Sequence, residues 1–417
     1  MEYKKRLVEA ELMAKMAASG AVLIKGPKSC GKTETATRYA GSVLNMDRDP
    51  QVAIMMATNP RLLLEGEPPR LIDEWQEHPE IWNYVRHEVD QRKSKGVFIL
   101  TGSAQPPEQV RLHSGAGRFT VVQMETMTWQ ELGHSSGTVK LSDLLAGEAK
   151  EYFEPGISLD KILERICTGG WPALIHENLP NALNLNRGYV DLLCEADMSR
   201  VSGINRHPQK VRSLLRSLSR NIATLADNKT LEKDIGIIEN NTASRNTLAE
   251  YLDALSKLMI LYEQPAFNPH IRSAASLRKS PKRHLCDPSL AVAALGLDVE
   301  SLLKDLTYTG FLFESLAIHE LNVYAKSNDA TVFHYSDSYG HEVDAIVQKR
   351  SGAYAAFEIK LGVGFIEEAA KSLTKFAANI DPDKMELPRS LNIITGTGMS
   401  YRRPDGINVI SLASLGV

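Results

Sequence analysis

Short apolar runs alternate with stretches of helical period over the first third of the chain. "AVLIKG" (21–26), "SVLNMD" (42–47), "RLIDEW" (70–75), "GVFILTGS" (96–103) and "FTVVQME" (119–125) have the length and β-branched content of buried strands. An amphipathic helix is expected over 5–18 and another from Lys32 to about Ala40. Alternation of this kind predicts an α/β fold, a mainly parallel sheet covered by helices. The stretch near 134–156 is polar and broken, which predicts a boundary. From 158 to about 258 the period is helical, interrupted by "GGWP" (169–172) and by turns near 203–208 and 227–230. "NTLAEYLDALSKLM" (246–259) then predicts a helix, and "ILYEQPAF" (260–267) a strand. The last part alternates again: a helix over 308–325, strands over 330–336, 342–348 and 354–361, a helix over 365–379, and strands near 390–395 and 406–411.

Composition narrows the picture only a little. The 417 residues allow about two to four domains. A net charge of −3 excludes wholesale electrostatic binding of nucleic acid and leaves that role to local patches. The four cysteines are scattered with no C-x-x-C pair, as suits a reducing compartment without a zinc site. No run approaches the roughly 20 apolar residues that span a bilayer, and the first residues lack a signal-peptide pattern. A cytoplasmic protein without membrane contact is the expectation.

"GPKSCGKT" follows the first strand and opens a helix. It fits G-x-x-x-x-G-K-[ST], so Gly26, Pro27, Lys28, Ser29, Cys30, Gly31, Lys32 and Thr33 are candidates to cradle the phosphates of ATP. Lys32 would reach the β- and γ-phosphates, and the Thr33 hydroxyl would meet Mg²⁺. Asp73 ends the strand "RLIDEW", where it could join the Mg²⁺ shell, and Glu74 could polarise the attacking water. A further strand ends in "LTGS", offering Ser103, or less favourably Thr101, as a polar sensor of the γ-phosphate. These strand ends, in this order, resemble AAA-type ATPases. More narrowly, the phosphate loop, "LIDEWQ", "LTGSA", "GAGRF", "GGWP", "GFLFES", "EVD" and "EIK" resemble an uncharacterised prokaryotic family of AAA-type P-loop ATPases over nearly the whole chain. The resemblance implies a P-loop NTPase sheet, a winged-helix middle region and a C-terminal α/β domain of restriction-endonuclease-like fold. It divides the chain into an ATPase domain (1–145), its helical region (146–225), a winged-helix-like region (226–285) and the nuclease-like domain (286–417). It also implies an arginine that completes the nucleotide site, often from a neighbouring subunit of a homo-oligomer, and Arg118 of "GAGRF" is the residue matched to that role.

The middle region holds two basic tracts free of acidic residues. One carries Arg200, Arg206, Lys210, Arg212, Arg216 and Arg220; the other carries Arg272, Arg278, Lys279, Lys282 and Arg283. Arg212, Arg216 and Arg220 fall on one helical face. Such tracts could neutralise the backbone of DNA, although a charged face is often only solvated and winged helices also bind proteins.

In "GHEVDAIVQKRSGAYAAFEIKLG" (340–362), two strands flank a turn centred near Ser351. A symmetric hairpin would place Asp344 opposite Glu358, and alternation puts Lys360 on the face of Glu358. Asp344, Glu358 and Lys360 resemble the motif of PD-(D/E)xK nucleases, with Val343 where the Pro of that motif would stand. There the two carboxylates, joined by Glu314 of "GFLFES", would hold Mg²⁺ or Mn²⁺, and Lys360 would orient the attacking water. The alternative is a nuclease-shaped domain that no longer cleaves and serves a nucleotide-dependent switch by binding a protein or nucleic acid.

Overall fold

The computed structural model describes residues 3–102, 115–148, 152–200, 207–239, 245–268, 280–337, 339–383 and 385–417. The chain forms two compact units. The first comprises Met1–Thr126, Glu195–Arg206 and Glu250–Ile260; the second comprises Met127–Cys194, His207–Ala249 and Leu261–Val417.

The first unit is built on five parallel strands: β1 (Ala21–Lys25), β2 (Ser42–Asn45), β3 (Arg70–Asp73), β4 (Phe98–Gly102) and β5 (Phe119–Gln123), in the order β2-β3-β4-β1-β5. Helix α1 (Val8–Ala18) precedes β1, α2 (Lys32–Thr37) follows it, and α3 (Ile81–Arg92) follows β3. The continuous apolar runs make sense here because the sheet is covered on both faces. Ala21 and Leu23 enter one core with Ile72, Phe98, Leu100, Trp75 and Trp82. Their neighbours Val22 and Ile24 enter the other, with Leu12, Leu71 and Ile99. Phe119, at the start of β5, stacks on Trp82 with ring centroids 3.8 Å apart.

The second unit begins with helical elements: α4 (Leu159–Thr168), α5 (Leu179–Leu192), α6 (Pro208–Arg220), α7 (Asn228–Glu239) and α8 (Arg245–Lys257), the last passing into the first unit. α4 is strongly amphipathic, burying Ile162, Leu163, Ile166 and Cys167. The "GGWP" turn after it is a packing feature. A Cβ on Gly170 would lie 2.1 Å from the Met127 carbonyl oxygen, while the Gly170 N–H donates to Asp287 and the Trp171 indole to Ser289. Strands β6 (Leu261–Gln264) and β7 (Lys282–Leu285) pair antiparallel.

A six-stranded mixed sheet follows. It consists of β8 (Ala330–Ser336), β9 (Glu342–Lys349), β10 (Tyr354–Lys360), β11 (Leu391–Thr395), β12 (Tyr401–Arg402) and β13 (Asn408–Ser411), in the order β12-β13-β11-β10-β9-β8. Strands β8, β9 and β10 are antiparallel, β10, β11 and β13 are parallel, and β12 is antiparallel to β13. Helix α9 (Leu306–Ser327) opens on the Asp305 side chain, which caps the Tyr308 N–H. Helix α10 (Ile366–Ala378) packs Ala369, Leu373 and Phe376 against Val343, Ile346, Tyr354 and Ala356 of the sheet.

His284 of β7 is buried, with Nε2 3.1 Å from Gln264 Oε1. Burial, then the Lys282 charge, push its imidazole down from 6.5 to about 3. The unfolded state therefore takes up this proton near pH 6.5 and the folded state does not. The stability that His284 contributes is complete above pH 6.5 and is lost on acidification toward pH 3. Between pH 7.5 and 5 this residue should account for about 2 kcal/mol of lost stability in thermal unfolding, and His284→Gln should flatten that slope. An unchanged slope in the variant would refute the assignment.

Candidate functional site

The ends of β1, β3 and β4 bring the nucleotide candidates together. Gly26 begins the loop where no side chain fits, since a Cβ there would lie 2.2 Å from the Met124 carbonyl oxygen. Ser29 (φ +61°) and Gly31 (φ +100°) both take the left-handed region as the loop winds into α2. Lys32 is 5% exposed, and its ammonium donates to the Gly26 and Pro27 carbonyls at 3.0 and 2.8 Å. Burial pushes the Cys30 thiol up, so within this loop it is an uncharged packing group.

Asp73 sits at the end of β3, buried, in register with Thr101 of β4. Its Oδ1 accepts the Thr33 hydroxyl at 2.8 Å and also the Thr101 hydroxyl. Thr101 is thus the strand-end hydroxyl seen beside Asp73; Ser103 lies outside the described residues. Glu74 follows in a left-handed conformation (φ +52°), its carboxylate bonded by the Gln76 amide. Burial raises the Glu74 carboxyl above its ordinary range, with Lys32 acting against that shift. Thr33 and Asp73 together supply the hard oxygen donors that Mg²⁺ takes, so the residues fit that ion.

Two partners of the loop carry no local sequence signal. Arg6, 5% exposed, donates to the Cys30 carbonyl at 2.7 Å and to the Glu125 carbonyl at 2.8 Å, tying the loop to the end of the sheet. Lys28 forms an ion pair with Asp197, which reaches it from 169 residues away. Arg118 is exposed and pairs with Asp90 at 2.8 Å. Its described side-chain bonds, to Asp90 and the Ala116 carbonyl, do not bring it to Lys32 or Asp73.

The second constellation lies wholly in the second unit. Ala345 pairs with Phe357 and Ile346 with Ala356, the register of a hairpin symmetric about Ser351. Asp344 stands one step further along, within an irregularity between Val343 and Ile346 on the β8 side, and accepts the Ile359 N–H at 2.8 Å. Lys360 Nζ is 2.8 Å from Glu358 and 3.3 Å from Asp344. The Ser372 hydroxyl of α10 donates to the other Glu358 oxygen at 2.8 Å. Lys282, from β7, donates to Glu314 at 2.8 Å and lies 3.5 Å from Asp344. Burial pushes Glu314 up to about 7 and, with Asp344 adding to it, Glu358 up to about 8. Burial would raise Asp344 too, but the ammonium groups of Lys282 and Lys360 outweigh it and hold that carboxyl below its usual value. Among the described residues, no three His, Cys, Asp or Glu side chains are grouped so as to hold a metal ion.

The basic tracts are altered by folding. Lys282 and Arg283 are buried, Arg283 donating to Glu263, the Ala226 carbonyl and Asn228, so neither can reach a phosphate backbone. Arg212 pairs with Asp191 and Arg220 lies 3.9 Å from Asp234, while Arg216 on the same face is exposed. Arg206, Arg272, Arg278 and Lys279 lie outside the described residues, as does the side chain of Arg200.

A phosphate loop between strand and helix, and a buried aspartate at the end of β3, with β4 lying between that strand and β1, form the arrangement of a P-loop ATPase domain. Comparison with known proteins agrees: residues 18–133 match the family model of an AAA domain. Residues 159–301 and 309–415 match two families of domains of unknown function, DUF8612 and DUF4143. Uncharacterized protein Rv2008c of Mycobacterium tuberculosis and uncharacterized protein Mb2031c of Mycobacterium bovis are each 24% identical over 367 residues, covering 86% of this chain and 74% of theirs. Among solved structures, the Walker-type ATPase PABY2304 of Pyrococcus abyssi aligns at 12% identity over 70% of this chain and 98% of its own, with a TM-score of 0.44. A variant of RuvB from Thermotoga maritima aligns at 17% identity over 62% of this chain and 89% of its own, with a TM-score of 0.28. Among the described residues, no helix is long and apolar enough to cross a membrane.

Proposed function

We propose that this chain is an ATP-driven switch: its AAA-type domain hydrolyses ATP, and the nucleotide state controls a winged-helix-like region and a nuclease-shaped C-terminal domain that engage DNA. The observation that carries the ATPase reading is Asp73, which receives the hydroxyls of Thr33 and Thr101 at the strand ends beside the phosphate loop. In turnover, Lys32 exchanges its two loop carbonyls for phosphate oxygens, and Thr101 keeps the Asp73 carboxylate oriented. Glu74 takes the proton of the attacking water, its raised basicity suiting it to that task. Mg²⁺, when held by Thr33 and Asp73, offsets charge on the phosphates. Arg118, exposed and held by a surface pair with Asp90, is available to complete the site of a neighbouring copy in a homo-oligomer.

The coupled region follows the order α7, α8, β6, β7, two helices and an antiparallel hairpin, which supports a winged helix. Helix α9, three antiparallel strands, helix α10 and parallel strands support the restriction-endonuclease-like fold. Contact with DNA rests on Arg212, Arg216 and Arg220; the surface pairs of Arg212 with Asp191 and of Arg220 with Asp234 are of the weak, exchangeable kind. A cytoplasmic setting accords with the reduced cysteines and with ATP as substrate.

Glu74→Gln tests the proposal. The variant is expected to bind ATP as the wild type does and to lose about 10²- to 10³-fold in turnover. Trapped with ATP, it should bind a labelled duplex with strong salt dependence. Turnover retained in Glu74→Gln refutes the assigned base; absence of duplex binding at low salt removes DNA and leaves the ATPase reading standing.

A further inference from the structure

The carboxylate cluster of the second unit has the residues of a metal nuclease but not the electrostatics of one. Glu314, Asp344 and Glu358 are 7%, 8% and 4% exposed, and three carboxylates buried together demand positive charge. That charge is already present. One Asp344 oxygen faces the Lys282 ammonium at 3.5 Å and the other faces the Lys360 ammonium at 3.3 Å. Lys282 donates to Glu314 as well, and Lys360 to Glu358, whose second oxygen is taken by Ser372. A divalent cation needs carboxylate oxygens at about 2.0–2.6 Å, directed at one point. Here the oxygens of Glu314 and Asp344 that would converge are both directed at Lys282 Nζ, and a dication beside a buried ammonium would meet direct repulsion.

Lys282 is not one of the three motif residues. It enters from β7, 32 residues before Glu314, and its side chain is 4% exposed. Its ammonium is therefore held on protein carboxylates rather than offered to a substrate, whereas Lys360 keeps 27% of its side chain exposed. Hydrogen bonds hold the β6–β7 pair against the strands of the cluster: Gln264 of β6 donates to the carbonyls of Phe333 and Asp344, both at 3.0 Å.

We infer that Lys282 is the resident cation of this cluster, standing where a divalent metal would have to sit, so that the C-terminal domain carries no catalytic metal and cuts no phosphodiester. The inference rests on reading that domain as nuclease-shaped, and it assigns the domain to binding instead of cleavage.

Mn²⁺ binding to the nucleotide-free full chain decides it, read by electron paramagnetic resonance of free Mn²⁺ and by the shift in Tm. Wild type is expected to bind no Mn²⁺ that depends on Asp344. Lys282→Gln, which keeps a hydrogen-bond donor for Glu314 but removes the charge, is expected to gain one Mn²⁺ and an upward shift in Tm. Adding Asp344→Asn to it should abolish both. Lys282→Met, of similar volume, is the second variant should the first fold poorly. Wild-type binding of Mn²⁺ that Asp344→Asn removes overturns the inference. So does Mn²⁺-dependent DNA cleavage by the wild type, which would uphold the nuclease shape while refuting the resident lysine. Folded Lys282→Gln or Lys282→Met without gained Mn²⁺ also overturns it.

Discussion

Lys32→Ala is expected to weaken ATP binding by about a hundredfold or more and to abolish measurable turnover. The residue buries a full positive charge beside the backbone of the phosphate loop, and its ammonium is held there by two carbonyl oxygens. Neutral carbonyls hold an ammonium less strongly than anionic phosphate oxygens do, so the charge is kept ready for transfer to the nucleotide. Removing it leaves the loop geometry intact, because that geometry is set by Gly26, Ser29 and Gly31 and braced by Arg6. The loss should therefore appear in nucleotide titration and phosphate release while thermal unfolding of the nucleotide-free protein stays close to wild type. Wild-type affinity in a folded Lys32→Ala protein would remove the site from the phosphate loop altogether.

Much of the fold is legible because its elements are set by local pattern. The strand predicted over 330–336 is observed at those residues, and β9 and β10 deviate by one residue at a single end each. Alternation fixes which faces are buried, and a turn centred on Ser351 fixes the hairpin register, so the approach of Asp344, Glu358 and Lys360 follows from spacing. The phosphate loop is legible for a similar reason: its strand, glycines and helix are contiguous. Partners brought in by tertiary folding are another matter. Arg6 lies 24 residues from the carbonyl it braces, Asp197 lies 169 from Lys28, and Lys282 lies 32 from Glu314. Lys282 is the instructive case. "KRHL" shows three ionisable residues in four, a pattern that reads as an exposed basic tract, yet all four are buried because Glu314, Glu263 and Gln264 supply partners. Burial of charge depends on a partner across the fold, and sequence pattern registers only the charge.

Asp344→Ala is expected to destabilise the second unit by about 3–5 kcal/mol, because it leaves two ammonium groups without their shared carboxylate. For a unit of this size that is a fall of roughly 10 °C in Tm. The Ile359 N–H loses its acceptor in the same change, adding an unmet buried donor. The direction of the effect separates two physical pictures of the cluster. In a metal site awaiting its ion, three carboxylates repel one another, and deleting one relieves that repulsion, so a metal-free variant would melt at or above the wild-type temperature. In a cluster held by its own lysines, the same deletion removes two buried ion-pair contacts and the acceptor of the Ile359 N–H, and the variant melts lower. Differential scanning calorimetry in chelator, with Asp344→Asn as the isosteric control, distinguishes them. A rise in Tm on removing Asp344 would return the domain to the metal-dependent nucleases; a fall places its carboxylates among the forces that hold the fold together.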